Sequence, residues 1–152
     1  MVKKIVLLLS LLTAPAIADD WVIQTVTDDF DDSTSSYMYL GSTFDIDYPI
    51  PSIFGMNCLK GEVVLTLGTS HANQAETIEI RFDSNPKKTF KKSKDFIFIG
   101  SDPDTYLFKN SLVEDFKKAH TIRVRYDFSD QKSLFVSEKF NQNFSKFKSI
   151  CK

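Results

Sequence analysis

The sequence predicts a mainly β domain of the α+β class, with one helix in mid-chain and one at the C terminus. Apolar and polar residues alternate with period two over 78–83 and 121–128, which is typical of strands that pack one face on a core. Short runs of β-branched and aromatic residues between turn-forming residues indicate several further strands. Phenylalanines at positions 140, 144 and 147 repeat at helical spacing, which predicts the C-terminal helix.

Residues 1–18 predict a cleavable export signal. Two lysines precede a short apolar run, and Ala16-Ile17-Ala18 forms the small-x-small pattern that a signal peptidase recognises. The run is much shorter than the roughly 20 residues that cross a bilayer; the alternative is an uncleaved anchor or a buried strand. We therefore expect a single β-rich exported domain over 19–152, periplasmic or secreted, with no stable membrane insertion after cleavage.

The predicted strands are separated by recognisable turns. Gly61 allows a tight turn between the third and fourth strands, which predicts a hairpin with Cys58 near its start. Thr27–Ser36 is an acidic, Ser/Thr-rich loop, and prolines at positions 49 and 51 favour a second loop. In order, the strands are expected at 21–26, 37–40, 56–60, 62–67, 78–83, 96–99, 121–128 and 134–136.

Two helices are predicted among these strands. The aspartate–proline pair at 102–103 has the pattern of an N-cap followed by a first-turn proline. Apolar residues at 108, 112 and 116 then repeat every four residues, which predicts a helix that continues to about residue 120. The second helix, at 140–151, places Cys151 on the same face as its phenylalanines.

Cys58 and Cys151 are the only cysteines in the sequence. In an exported chain a single pair favours a disulfide, and closing a loop of about 90 residues stabilises the fold by roughly 4–5 kcal/mol in the chain-entropy model. The alternative is two free thiols or an intermolecular bridge. No C-x-x-C redox motif is present, and His71 and His120 have no close-spaced partner for a metal. We expect no metal and no other cofactor.

Arg81, Asp83, Arg123 and Arg125 lie on the polar faces of two strands that we expect to be neighbours. The functional interpretation is a charged patch that binds an anionic partner. The alternative is cross-strand ion pairing, in which each exposed pair contributes under ~1 kcal/mol. The formal net charge of −1 gives no global attraction to nucleic acid.

No catalytic residues are predicted. Serine, histidine and aspartate are all present, but no nucleophile elbow or other spacing marks a triad. We place a weak enzyme or a ligand carrier third, after the two protein-binding hypotheses that are given below. The acidic residues Asp28, Asp29, Asp31 and Asp32 lack the glycine and the distal glutamate of an EF-hand loop, which favours a solvated loop over a calcium site.

The order of these features extends over nearly the whole exported domain. A tryptophan strand opens it, a strand with a central cysteine and its hairpin partner follow, and a phenylalanine-rich helix ends in cysteine. Between them lie Ile78-Glu79-Ile80-Arg81-Phe82-Asp83, Phe90-Lys91-Lys92-Ser93 with Asp95, a helix, and Ile122-Arg123-Val124-Arg125. This order resembles the VasI/TagO-like family of small exported bacterial and phage proteins associated with type VI secretion.

The resemblance implies a small antiparallel β-sandwich or barrel-like domain without enzyme activity. It also implies a role through contacts with a protein partner in the cell envelope, as an accessory factor of a secretion system. A different hypothesis comes from Lys87, Lys88, Lys91 and Lys92. As a basic loop they would enter the acidic cleft of a wall-cleaving hydrolase and inhibit it; the alternative is an edge strand or loop kept soluble by lysine.

Overall fold

Two antiparallel sheets and two helices make up the part of the chain that the computed structural model describes, which is 20–30, 32–43, 47–70, 74–101 and 104–151. The predicted signal at 1–18, Asp31, His71 and the predicted N-cap at 102–103 lie outside the described residues. Within the described ranges, no helix has the length and apolar character needed to cross a membrane.

The described strands and helices follow a mainly β order. One sheet has six strands in the order β1-β2-β3-β4-β8-β7, and the other has four in the order β10-β9-β5-β6. In chain order the elements are β1 (Val22–Thr27), β2 (Thr34–Gly41), β3 (Ser52–Leu59), β4 (Glu62–Thr69), β5 (Thr77–Phe82), β6 (Lys88–Lys91), β7 (Phe96–Ser101), β8 (Asp104–Phe108), α1 (Val113–Phe116), β9 (Thr121–Tyr126), β10 (Lys132–Val136) and α2 (Phe140–Ile150).

The core lies between the two sheets, as the period-two alternation predicts. On β5, Ile78 and Ile80 are fully buried, and on β9, Ile122 and Val124 are fully buried, while the residues between them face outward. Buried residues of the six-stranded sheet join them in one hydrophobic cluster. The prediction of a small antiparallel β-sandwich is therefore confirmed.

The β3–β4 hairpin confirms the predicted tight turn. Leu59 pairs with Glu62, so the loop holds only Lys60 and Gly61. Both residues have positive φ, 51° and 78°, which is the geometry of a type I′ turn. Gly61 takes this conformation without the strain that a side chain would add.

A buried polar network joins the two sheets. The Ser52 hydroxyl lies 2.9 Å from the Tyr126 hydroxyl and 2.8 Å from the Ser133 hydroxyl. Ser133 donates in turn to the carbonyl oxygen of Ile50 at 2.7 Å. Each buried hydroxyl thus has a partner, which avoids the penalty of an unpaired polar group in the core.

The C-terminal helix covers the β1–β2 end of the wider sheet. α2 packs against β1 and β2, and its residues Phe140, Phe144 and Phe147 are buried. The Cys58–Cys151 disulfide joins β3 to the end of α2, with the two Cα atoms 5.3 Å apart, within the usual range for this bond. The predicted disulfide and its predicted attachment of the terminal helix are both present.

The long mid-chain helix was predicted wrongly. Residues 104–108 form β8, and the helix is limited to Val113–Phe116. Alternation of buried Asp104, Tyr106 and Phe108 with half-buried neighbours fits a strand, and β8 pairs on both sides, with β4 and β7. The four-residue repeat therefore joins apolar residues of two different elements, and tertiary pairing overrides the local pattern.

Candidate binding surfaces

The outer faces of the two sheets differ in charge. The four-stranded sheet carries the charged face, which we define as the outward side chains of β5, β9 and β10 with Lys87 beside them. Its charged side chains are Glu79, Arg81, Lys87, Arg123, Arg125 and Lys132. The six-stranded sheet carries an almost uncharged surface, described further below. The predicted arginines and Lys87 therefore gather on one side of the molecule, whereas Lys88 lies opposite the inward-facing Ile80 in the β5–β6 register and pairs with Asp115.

Glu79 is the shared carboxylate of the charged face. It lies opposite Arg125 in the β5–β9 register, and Arg125 Nε donates to Glu79 Oε2 at 2.8 Å. Lys87 forms a second ion pair with the same carboxylate. The side chain of Glu79 is only 19% exposed. This part of the face follows the ion-pairing interpretation of the sequence.

The pKa of Glu79 is held below its usual value. The hydrogen bond from Lys87 is the main cause, and Arg125 adds to it through a hydrogen bond and its charge, while partial burial opposes both. The unfolded value is about 4.3. Because the folded pKa is the lower one, Glu79 stabilises the fold above the unfolded value and loses this contribution as the pH falls through the folded pKa.

We therefore expect Glu79→Gln to be less stable than the wild type at about pH 7 and to approach it as the pH falls below about 4. Urea unfolding at a series of pH values measures the difference in the free energy of unfolding. Glu138→Gln, at an exposed position shortly before α2, is a control for the effect of removing any carboxylate. A wild-type advantage that stays constant down to about pH 3 would contradict this account.

Arg81 and Arg123 have a different environment from Arg125. They lie directly opposite each other on β5 and β9. Arg81 donates to the carbonyl oxygens of Asn85 and Ser84, at 3.0 and 3.1 Å. Arg123 donates to the Tyr48 hydroxyl and to a backbone carbonyl, both at 3.3 Å. Among the described residues neither guanidinium has a carboxylate partner.

Asp83 has a structural position at the end of β5. Its Oδ1 accepts hydrogen bonds from the backbone N–H groups of His120 and Thr121, at 3.0 and 2.8 Å, and from the Thr121 hydroxyl at 3.2 Å. Partial burial raises the pKa of Asp83, but these hydrogen bonds outweigh it and hold the pKa below its usual value. The carboxylate therefore fixes the start of β9 and does not neutralise the arginines.

The lysine-rich segment forms an edge strand. Lys88–Lys91 is β6, at the end of the four-stranded sheet. Lys87 pairs with Glu79, Lys88 with Asp115 at 2.7 Å, and Lys92 with Glu76 at 2.8 Å. The backbone N–H of Lys91 donates to Asp95 at 2.8 Å. The segment is therefore held along the sheet, and lysine at its edge opposes strand addition by another chain.

The uncharged face is a surface that the sequence analysis missed. Its exposed apolar side chains include Ile53, Leu59, Ile97 and Ile99, which are 50%, 58%, 39% and 52% exposed. Among the outward positions of the six strands, as far as the structure describes them, Glu62 is the one charged residue. We define the face as Val22, Gln24, Val26, Ser35, Tyr37, Tyr39, Gly41, Ile53, Gly55, Asn57, Leu59, Glu62, Val64, Thr66, Gly68, Ile97, Ile99, Thr105 and Leu107.

A glycine-lined trough crosses the uncharged face. Gly41, Gly55 and Gly68, from three adjacent strands, leave a shallow cavity of about 470 Å³ beside Ile53 and Thr105. A Cβ at Gly55 would lie 2.6 Å from the Thr66 hydroxyl, whereas a Cβ at Gly41 would meet no atom within 4 Å. The trough is therefore open over Gly41, whereas the Thr66 side chain closes the space over Gly55.

One signal in the sequence indicates this face. β3 and β4, Ser-Ile-Phe-Gly-Met-Asn-Cys-Leu and Glu-Val-Val-Leu-Thr-Leu-Gly-Thr, carry apolar residues at both alternating sets of positions. A strand with one face in water is expected to alternate apolar and polar residues, and apolar residues at both sets of positions indicate that both faces are covered.

No family model, curated protein or solved structure matches this chain.

Proposed function

We propose that this chain is an exported, non-enzymatic binding protein that meets a protein partner through the uncharged face. In the role implied by its resemblance to the VasI/TagO-like family, it is an accessory factor of an envelope secretion system. The observation that carries the proposal is the breadth of the uncharged face, which extends over six strands with exposed isoleucines on β3 and β7.

The chemistry of the face defines the partner surface. Extended exposed apolar surface on a soluble domain marks an interaction site, and each Å² of apolar area removed from water contributes about 25 cal/mol. Away from Glu62, a charged group placed against this face would lose its hydration without gaining a counter-charge. The partner surface is therefore apolar and uncharged, with a side chain that fills the trough over Gly41.

The proposed location, periplasmic or secreted, has two supports. The sequence begins with the pattern of a cleavable signal. The Cys58–Cys151 disulfide suits an oxidising compartment, because such bonds are rare in the reducing cytosol.

The inhibitor hypothesis has weaker support. Three of its lysines, Lys87, Lys88 and Lys92, already pair with carboxylates of the same chain. Each would have to exchange that partner for a carboxylate of the hydrolase, which reduces the gain from binding. Serine at positions 87, 88, 91 and 92 would abolish inhibition under that hypothesis and leave binding through the uncharged face unchanged.

We expect Ile53→Lys and Ile97→Lys each to weaken partner binding at least about tenfold, because each places an unpaired charge on a face that the partner covers. A photo-crosslinking residue at position 53 or 97, used in intact cells, first identifies the partner. Calorimetry with the purified partner then measures the affinity of each variant directly.

Ile150→Lys is the matched control. Ile150 is 41% exposed on α2, close to the value for Ile97, but lies outside the uncharged face. Gly41→Val is a second variant, whose Cβ would meet no atom within 4 Å; it narrows the trough and is also expected to weaken binding. Equal affinity of Ile53→Lys, Gly41→Val and Ile150→Lys for the partner would refute the proposal.

A further inference from the structure

The charged face contains an excess of positive charge that the fold itself does not neutralise. A cleft of about 290 Å³ is lined by five positive side chains and one negative one, which are Arg81, Lys87, Arg123, Arg125 and Lys132 against Glu79. The whole chain has a formal net charge of −1. The positive charge is therefore a local concentration.

The arginine pair is the unexplained feature of this cleft. Arg81 and Arg123 are directly opposite across β5 and β9, where side chains start only about 5 Å apart, and like charges in that position destabilise a sheet. Their hydrogen bonds go to backbone carbonyls and the Tyr48 hydroxyl. These neutral acceptors leave both positive charges in place.

We propose that Arg81 and Arg123 form the centre of a binding site for a phosphate-bearing ligand. A phosphate monoester has three terminal oxygens and up to two negative charges, so it accepts hydrogen bonds from two guanidiniums at once. It would replace the repulsion between the arginines with a bridge. Lys132 lies opposite Arg125 on β10 and adds a further positive charge at the margin of the cleft.

The position of the acidic residues sets the end of the cleft at which the ligand lies. Asp127 and Asp130 line a neighbouring cavity together with Glu79 and Arg125, and they repel an anion there. Asp83 is held by the start of β9. The Arg81–Arg123 end is therefore the favourable position, and Glu79 is an internal competitor that keeps Arg125 and Lys87 paired.

Opposite effects are expected from two kinds of substitution. Arg81→Ala and Arg123→Ala each remove charge-assisted hydrogen bonds, so each is expected to weaken binding at least about tenfold. Glu79→Gln removes the competing anion and frees two cations, so it is expected to strengthen binding several-fold. Lys146→Ala, at an exposed position on α2, removes one positive charge elsewhere and is the control, with unchanged affinity.

The test uses the disulfide-bonded exported domain and two probes. Calorimetry with glycerol 3-phosphate measures binding of a soluble phosphomonoester, and sedimentation with phosphatidylcholine vesicles, with and without phosphatidic acid, measures binding of a lipid headgroup. Binding of either probe with the expected order of variants supports the site and identifies the source of the phosphate. Glycerol, and vesicles without phosphatidic acid, are not expected to bind.

Two results would overturn the inference. One is a wild-type protein that binds neither probe at millimolar concentration. The other is an equal loss of affinity in Arg81→Ala and Lys146→Ala, since that would reflect net charge alone.

Arg81→Lys keeps the charge at an exposed position, so it tests the site even if Arg123→Ala misfolds. It is expected to lose part of the affinity because lysine donates from a single point. The site is separate from the uncharged face, so its failure leaves the proposed function unaffected.

Discussion

Replacement of both Cys58 and Cys151 by serine is expected to lower the free energy of unfolding by roughly 4–5 kcal/mol. The two residues are separated by 93 positions, so the bond removes a large part of the conformational freedom of the unfolded chain. In the folded state it fixes the end of α2 to β3, where the helix packs against β1 and β2. A loss of this size is a large fraction of the stability of a small domain.

Urea denaturation followed by fluorescence of Trp21 measures this loss. Reduction of the wild type is expected to give the same stability as the double serine variant, and either single variant is expected to match the double, because one cysteine cannot form the intramolecular bond. Amide exchange is expected to become faster in α2 before the sheets are affected. A double variant within about 1 kcal/mol of the oxidised wild type would show that the bond constrains little.

Much of the fold is readable from the sequence because the signals are local. Alternation along β5 and β9 depends on neighbouring residues, and so does the phenylalanine repeat of α2. β8 is the exception. It has only five residues, too few for alternation to outweigh a chance match to helical spacing. It pairs with β7, which precedes it, and with β4, which is distant in sequence, so part of its stability comes from a contact that no local pattern shows.

The two binding surfaces were also predictable only as far as local patterns show them, because strand pairing is not visible in the sequence. The alternation of β5 and β9 places Arg81, Arg123 and Arg125 outside the core, but only the register shows that Arg81 opposes Arg123 while Arg125 opposes Glu79. The uncharged face combines outward residues from six strands, and no segment of sequence reveals which strands are neighbours. The trough depends on glycines of β2, β3 and β4 meeting across the sheet.

The substitution Phe116→Ala is expected to lower the free energy of unfolding by about 3–5 kcal/mol. Phe116 is fully buried, and its ring centroid lies 5.4 Å from Trp21, 5.1 Å from Phe54, 5.4 Å from Phe82 and 5.6 Å from Phe140. These four aromatic neighbours come from both sheets, from α2 and from the residue before β1. A cavity at this position would therefore weaken contacts among all of these parts together, and the surrounding rings are too large to collapse into it.

Phe30→Ala is the matched control, because it removes the same atoms from a side chain that is 101% exposed. Its free energy of unfolding is expected to stay within about 0.5 kcal/mol of the wild type. Urea denaturation of both variants then separates the effect of burial from that of residue type. A loss below about 1 kcal/mol in Phe116→Ala would mean that the aromatic cluster repacks without it. If the loss is as large as expected, combining Phe116→Ala with the double serine variant should cost less than the sum of the two, because both changes release the docking of α2 through contacts that Phe116 shares with Phe140.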